Sequence, residues 1–366
     1  MKLFCDSTDF ADAVSKVTKA MPLKKLNPIL EGIKLKAEGD VLILSSTDLE
    51  LAIEKKINAD VKIEGEALIN GRSLADFARG LPAVTIEIDA TNRERVKFIY
   101  GGVANFAAMN VYEYPTFKEV KEETSFKIQK KDFKNIINKV IFNAAQEDSR
   151  PILKGVCLDL TDGNVSAVAS NGYRLALASA AVNYTGEGKT IIVPARSLSE
   201  IARLIDDDDN ELEVAVEKNY LKIDLFHTVI VTRLIEGDFI NYKKIIPTEF
   251  TTEFISDKKD FEDAVNRASQ FNKNDKKNVV RFEIAENNLN IKAEGEAGDI
   301  VEDIPIKTEG KDLAIGFNSK YIMESLRAIT DASVKMSFTT STAAGIMRPA
   351  SDLPELYLIL PIRIVM

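Results

Sequence analysis

At 366 residues, with 45% hydrophobic and 29% charged residues, the chain is too long for one ordinary core and too apolar for disorder, so two or three folded domains are expected. A formal charge of -9 argues against a generally basic nucleic-acid binder, and any contact with phosphate has to be local. The longest apolar runs, such as residues 356–361, are strand-sized and fall well short of the roughly 20 residues of a membrane span. Residues 1–10 carry acidic side chains where a signal peptide has a basic and then an apolar segment, so they read as mature protein. Cys5 and Cys157 stand far apart without a second thiol nearby, which suits buried thiols in a reducing cytoplasm rather than a disulfide or a thiolate metal site.

Along the chain, Asp9-Phe10 opens a segment with Phe10, Val14 and Val17 on one helical face. Ile33-Lys34-Leu35-Lys36-Ala37 then alternates as a strand does, and Glu38-Gly39-Asp40 supplies a turn. A second helix carries Arg72, Leu74, Arg79 and Leu81. After a polar joint at residues 122–125 the order returns: Asp132-Phe133 with Ile137 and Val140, the alternating Val156-Cys157-Leu158-Asp159-Leu160, the turn Thr161-Asp162-Gly163-Asn164, then Arg196, Leu198, Arg203 and Ile205. Beyond a second joint at residues 247–252 come Asp260-Phe261 with Val265 and Ala268, Val280-Arg281-Phe282-Glu283-Ile284, the turn Glu286-Asn287-Asn288, and finally Lys320, Ile322, Arg327 and Ile329. The spacing predicts three tandem α+β domains, residues 1–124, 125–250 and 251–366, each running strand, helix, three strands, twice over. Repeats of this length are domains, not solenoid units.

In each second helix a cation recurs seven positions after the first: Arg72 and Arg79, Arg196 and Arg203, Lys320 and Arg327. Seven residues return a helix to nearly the same face. The first helices add Lys16, Lys19, Lys139 and Arg267. Taken singly these are ordinary solvated faces, but their phase-locked recurrence predicts one shared basic surface on an acidic protein, able to touch phosphates without reading bases.

Catalytic chemistry finds little support. His227, the only histidine, lies in the alternating run 221–231 and reads as a strand residue rather than a general base. Gly186-Glu187-Gly188-Lys189-Thr190 imitates the end of a phosphate-binding loop, yet Asn183 replaces its first glycine and a strand follows where a helix is needed. Residues 206–209 resemble a calcium loop, but Glu211 takes the place of the required glycine. No metal and no cofactor are expected. A three-domain peptide-binding scaffold and a phosphate-dependent enzyme working through Lys189 are two readings open at this point.

Three stretches, Ser170-Asn171-Gly172-Tyr173-Arg174-Leu175-Ala176, Glu236-Gly237-Asp238-Phe239-Ile240-Asn241-Tyr242 and Leu358-Ile359-Leu360-Pro361-Ile362-Arg363, together with Arg79-Gly80-Leu81-Pro82 and Gly316-Phe317-Asn318, resemble the bacterial DNA sliding clamp, the beta subunit of DNA polymerase III. The resemblance spans essentially the whole length. It implies sliding-clamp domains with two helices packed on antiparallel sheets, and a head-to-tail homodimer forming a six-domain ring around duplex DNA. It also implies a non-catalytic processivity factor loaded by a separate ATP-driven machine. Phe106 and Phe271 match its interface hydrophobics, and Lys24, Lys25 and Arg150 join the cations expected to face DNA.

A pocket for a short linear motif follows from the same resemblance, serving the replicative polymerase alpha subunit, the clamp loader and other replication and repair proteins. Its matching positions are Leu153, Ser170, Gly172, Tyr173, Arg174, Leu175, Ile240, Lys244, Ile245, Asn318, Tyr321, Leu358, Ile359, Leu360, Pro361, Ile362 and Arg363. Aliphatic walls there would anchor leucine or phenylalanine side chains while a few polar groups orient the peptide. Ile240 stands where the family usually has proline, Asn171 where aspartate is common, and Lys277 where an aromatic rims the pocket; Val365 and Met366 extend past the usual end.

Overall fold

Helix starts are set by short polar side chains. Asp6 accepts from the backbone amides of Thr8 and Asp9 to begin α1 (Ser7–Val17), and Asn70 accepts from Ser73 N at 3.1 Å to begin α2 (Gly71–Arg79). The remaining helices are α3 (Lys130–Val140), α4 (Ala195–Leu204), α5 (Tyr242–Ile245), α6 (Lys258–Phe271) and α7 (Ser319–Ala328). Asp257 caps α6 and Asn318 caps α7, the latter accepting from Lys320 N at 2.9 Å. The structure, a computed structural model, describes the whole chain apart from residues 25, 26, 122, 148, 162, 273–277, 297 and 364–366.

The apolar stripes bury as their spacing requires: Phe10, Val14 and Val17 on α1, Phe133, Ile137 and Val140 on α3, Phe261, Val265 and Ala268 on α6. Leu74, Leu198 and Ile322 on the second helices are buried too, whereas Leu81 lies beyond the end of α2 and is only half-buried. Such stripes drive the helices onto sheet or onto one another, and α1 packs on α2 as α6 packs on α7.

The chain divides into two compact units, Met1–Lys131 with Glu200–Leu234, and Asp132–Ser199 with Ile235–Met366. In the first, a thirteen-stranded antiparallel sheet runs from Thr124–Gln129 to Asp60–Ile63. At its seam Leu51–Asn58 pairs with Thr228–Arg233, Leu51 opposite Thr232 and Ala52 opposite Val231. In the second, a nine-stranded sheet from Lys189–Pro194 to Lys307–Gly310 has the corresponding seam between Arg174–Ala181 and Glu355–Ile359, with Leu175 opposite Leu358. Beside it stands a four-stranded sheet that begins at Gly298–Pro305 and ends at Leu313–Asn318.

Three expectations need correcting. Two short strands, Asp60–Ile63 and Lys307–Gly310, were not predicted; each pairs with the first strand of its segment, and both are too exposed to show alternation. His227 is no strand residue but an exposed member of the turn closed by Leu225 N to Thr228 O at 2.8 Å. Lys139 is no surface cation: it is buried and ion-paired with the buried Glu355. Residues 186–188 do lead into a strand, Lys189–Pro194, and Asp208 of the acidic run is engaged by Lys130 Nζ at 2.8 Å. Among the described residues no group of three or more His, Cys, Asp or Glu side chains could hold a metal, and no helix is long and apolar enough to cross a membrane.

Candidate functional site

Residues 170–174 form a tight turn that the sequence dictates. Ser170 Oγ donates to Arg174 O at 2.8 Å and accepts from Gly172 N at 3.1 Å, while Asn171 Oδ1 accepts from the amides of Tyr173 and Arg174. Gly172 has φ of 88°, in the left-handed region that favours glycine, and a Cβ there would fall 2.6 Å from Arg150 Nη1, which would have to swing aside. The turn throws Tyr173 outward, 65% exposed.

Beneath it lies an apolar floor of Cys157, Val168, Leu175, Tyr242, Ile346, Leu356 and Leu358, edged by Phe239, Ile240 and Ile246. Leu153 is buried on the neighbouring turn Pro151–Lys154, and Lys244 and Ile245 stand exposed on α5. The C-terminal segment closes the far side. Leu360 N donates to Tyr173 O at 2.9 Å and Ile362 N to Gly316 O at 2.8 Å, leaving Leu360 partly exposed, Pro361 and Ile362 half-buried and Arg363 exposed. The large apolar side chains left exposed around this buried floor are Tyr173, Ile245 and Leu360.

Four residues expected at the pocket, Arg174, Tyr321, Asn318 and Ile359, are engaged within the protein. Arg174 is buried; its guanidinium bonds Glu324 and the Phe142 carbonyl, at 2.7 Å, and lies 4.3 Å from the centre of the Tyr321 ring. It therefore ties the turn to α7, with Tyr321 as its cover, and Asn318 is spent on capping that helix. Ile359 is fully buried in the sheet seam. Arg150, expected among the DNA-facing cations, is exposed, with its guanidinium close to Gly172.

Sequence reading missed Asp159 and Tyr242. Tyr242 Oη donates to Asp159 Oδ2 at 2.6 Å, and Lys243 Nζ stands 2.8 Å from the same oxygen, so the segment carrying Ile240 is pinned from behind. Burial alone would raise the Asp159 carboxyl, but hydrogen bonds from Lys243 and Tyr242 outweigh it and hold the group below its usual range. Burial, and then that same carboxylate, push the Tyr242 phenol up. A lone aspartate in the apolar, buried run 155–160 of the strand Gly155–Thr161 was the available signal.

Of the recurring cations, Lys24, Arg72, Arg79, Arg203, Lys320 and Arg327 are exposed, and Arg196 is half-buried. Their partners are carboxylates nearby: Asp76 for Arg79 at 3.4 Å, Glu200 for Arg203 at 2.9 Å, Glu324 for Lys320 at 4.0 Å and Glu262 for Arg327 at 3.5 Å. Exposed pairs of this kind are worth about 0–1 kcal/mol, so a phosphate can displace them. Lys25, Lys277, Val365 and Met366 lie outside the described residues.

Phe106 is half-buried in a cluster with Phe77 and Phe98, at 5.2 and 5.4 Å between ring centres, and Phe271 is half-buried at the end of α6. The exposed apolar side chains near them are Val103 and Val301, which sequence reading did not single out.

Helix pairs backed by shared antiparallel sheets, recurring along the chain, define a clamp-fold protein. Family profiles for the DNA polymerase III beta subunit match end to end: its N-terminal domain at residues 1–118, its central domain at 127–241 and its C-terminal domain at 243–363. The chain belongs to this family, the bacterial sliding clamps, processivity factors of DNA replication. It is 27% identical to the beta sliding clamp of Bacillus subtilis over 99% of this chain and 100% of that one, and 26% identical to that of Halalkalibacterium halodurans with the same coverage. The crystal structure of the Bacillus subtilis sliding clamp superimposes with a TM-score of 0.96 at 26% identity, covering 100% of both chains. A Pseudomonas aeruginosa sliding clamp solved bound to griselimycin shares the fold, with a TM-score of 0.94 at 23% identity over 100% of both chains.

Proposed function

We propose that two copies of this chain, each with domains 1–124, 125–250 and 251–366, close head to tail into a six-domain ring around duplex DNA. There the ring acts as a non-catalytic accessory of the DNA polymerase III holoenzyme in the cytoplasm. The observation that carries the reading is the recurrence of solvent-facing cations on three second helices whose opposite stripes are buried. Arg72, Arg79, Arg196, Arg203, Lys320 and Arg327, with Lys24, touch phosphate without base readout, so the grip is loose and independent of sequence.

Charge also favours head-to-tail closure. Among the described residues Val103–Met109 has a strand partner along only one side at residues 103–107, and its neighbour Arg95–Ile99 exposes Arg95 and Lys97. Gly298–Pro305, at one edge of the four-stranded sheet, is also one-sided and carries Asp299, Asp303 and Glu302, the last paired with Arg267 at 2.7 Å. A basic edge meeting an acidic one attracts, and either edge meeting its own copy repels. Val103 and Val301 join Phe106 and Phe271 at that contact.

The patch built on residues 170–175, Ile240, Ile245 and Leu358 takes the linear motif of the polymerase alpha subunit, the clamp loader and other motif-bearing partners, with Arg150 at its rim. The deciding measurement is retention on DNA. Protein loaded by its clamp loader onto a nicked circle should remain bound and should be lost once the circle is linearised; equal loss from both forms rules out topological tethering and favours a peptide-binding scaffold.

A further inference from the structure

The turn at residues 170–174 has a twin. Thr47 Oγ1 donates to Leu51 O at 2.9 Å and accepts from Leu49 N at 2.9 Å; Asp48 Oδ1 accepts from Glu50 N at 3.0 Å and Leu51 N at 2.8 Å. Those are the bonds that Ser170 and Asn171 make, one for one. Arg233 N donates to Glu50 O at 2.8 Å as Leu360 N does to Tyr173 O. Each turn leads into a strand that pairs with the last strand of the following segment, so Ala52 opposite Val231 repeats Leu175 opposite Leu358.

Against this turn opens a cleft of about 160 Å³ walled by Leu49, Leu51, Pro115, Phe117, Tyr220 and Val231. Lys118 stands at its mouth, 3.8 Å from Glu217 and 5.4 Å from the centre of the Tyr220 ring. Tyr114 pins the wall from behind, its hydroxyl donating to Gly32 O and accepting from Thr47 N. The equivalent of Gly172 is Leu49, with φ of 76°. A branched side chain in the left-handed region costs backbone energy, and in the free chain burial does not offset it, since Leu49 is 61% exposed. Strain held at an exposed leucine beside an apolar cleft is accounted for if a ligand covers it.

We propose that this cleft is a second, weaker docking groove for the same class of ligand: a short extended peptide whose leucine or phenylalanine side chain enters between Leu49, Phe117 and Val231. The choice of ligand rests on the peptide reading of the first pocket. The twin turn marks its seat, and the size of the cleft limits it to one large apolar side chain.

Equilibrium dialysis of the full chain against a labelled, acetylated pentapeptide Ser-Leu-Ser-Leu-Phe counts the seats. Wild type should take up two peptides per chain, one tight and one at least ten-fold weaker. Leu49→Gly and Leu49→Asp should each remove only the weaker one, and Leu49→Gly should melt no lower than wild type, because glycine relaxes the backbone at that φ. Ile245→Asp, on the exposed rim of the first pocket, should leave only the weaker seat. Saturation of wild type at one peptide, with Leu49→Gly unchanged, overturns the proposal, as does loss of all binding in Ile245→Asp. Two seats persisting in Ile245→Asp while Leu49→Asp keeps one would instead sink the reading of the first pocket and leave this groove standing.

Discussion

The buried pair Lys139–Glu355 ties α3 to the seam strand Glu355–Ile359, which also supplies Leu358 to the pocket floor. Replacing Lys139→Met keeps the aliphatic stem and removes the charge, so the Glu355 carboxyl must either stay charged alone or take up a proton. Burial already pushes that carboxyl above its usual range, with Lys139 only partly offsetting it. Protonation sets a ceiling on the penalty: from an ordinary value near 4.3, at about 1.36 kcal/mol per pH unit, it costs about 3.7 kcal/mol at pH 7 and about 1 kcal/mol at pH 5.

The expected loss of stability is therefore about 3–4 kcal/mol at neutral pH, which agrees with the roughly 3–5 kcal/mol of a broken buried pair. The folded variant holds a proton that the unfolded chain has released, so its stability is greatest below about pH 4 and drains away as pH rises toward the elevated folded value. Urea unfolding followed by circular dichroism at pH 5 and pH 7 measures both ends, and Lys139→Met/Glu355→Leu should recover stability and lose the pH dependence. A penalty below about 1 kcal/mol at pH 7, or one equal at both pH values, refutes the assignment of a desolvated pair.

Charge reversal of Arg72, Arg79, Arg196 and Arg203 to glutamate should weaken DNA retention and flatten its salt dependence by roughly 0.9 in log–log slope for each lost phosphate contact, with peptide capture intact. Equal loss of both activities in retention and polarisation assays would show misfolding or a wrong surface. Deleting residues 360–366 removes the Leu360 and Ile362 backbone bonds to Tyr173 and Gly316, and peptide capture in the polarisation assay should fall at least ten-fold. Unimpaired capture would move the pocket elsewhere.

The helices and their order were legible because period and phase survive in any packing: Phe10, Val14 and Val17 and their counterparts must face inward. Lys139 could have been caught by the same rule, since three residues after Ile136 and one before Val140 it falls on the buried side of α3. Arg174 was placed at the pocket by its position in a stretch that resembles the family; its internal partners were not legible, because Phe142, Tyr321 and Glu324 lie far off in sequence, the last 150 residues away. Asp159 was taken for the solvent side of a half-buried strand; both faces of that strand are covered by elements distant in sequence. The extra strands Asp60–Ile63 and Lys307–Gly310 left no pattern, because exposed edge segments bury too little to constrain their residues.

The proposed head-to-tail pairing of edge strands bears on assembly. Subunits that join through complementary edges can build a thread as readily as a closed circle, and only the bend accumulated per subunit chooses between them. Substitutions that alter the twist at a sheet seam, leaving both edges intact, would then yield filaments in electron micrographs in place of discrete particles.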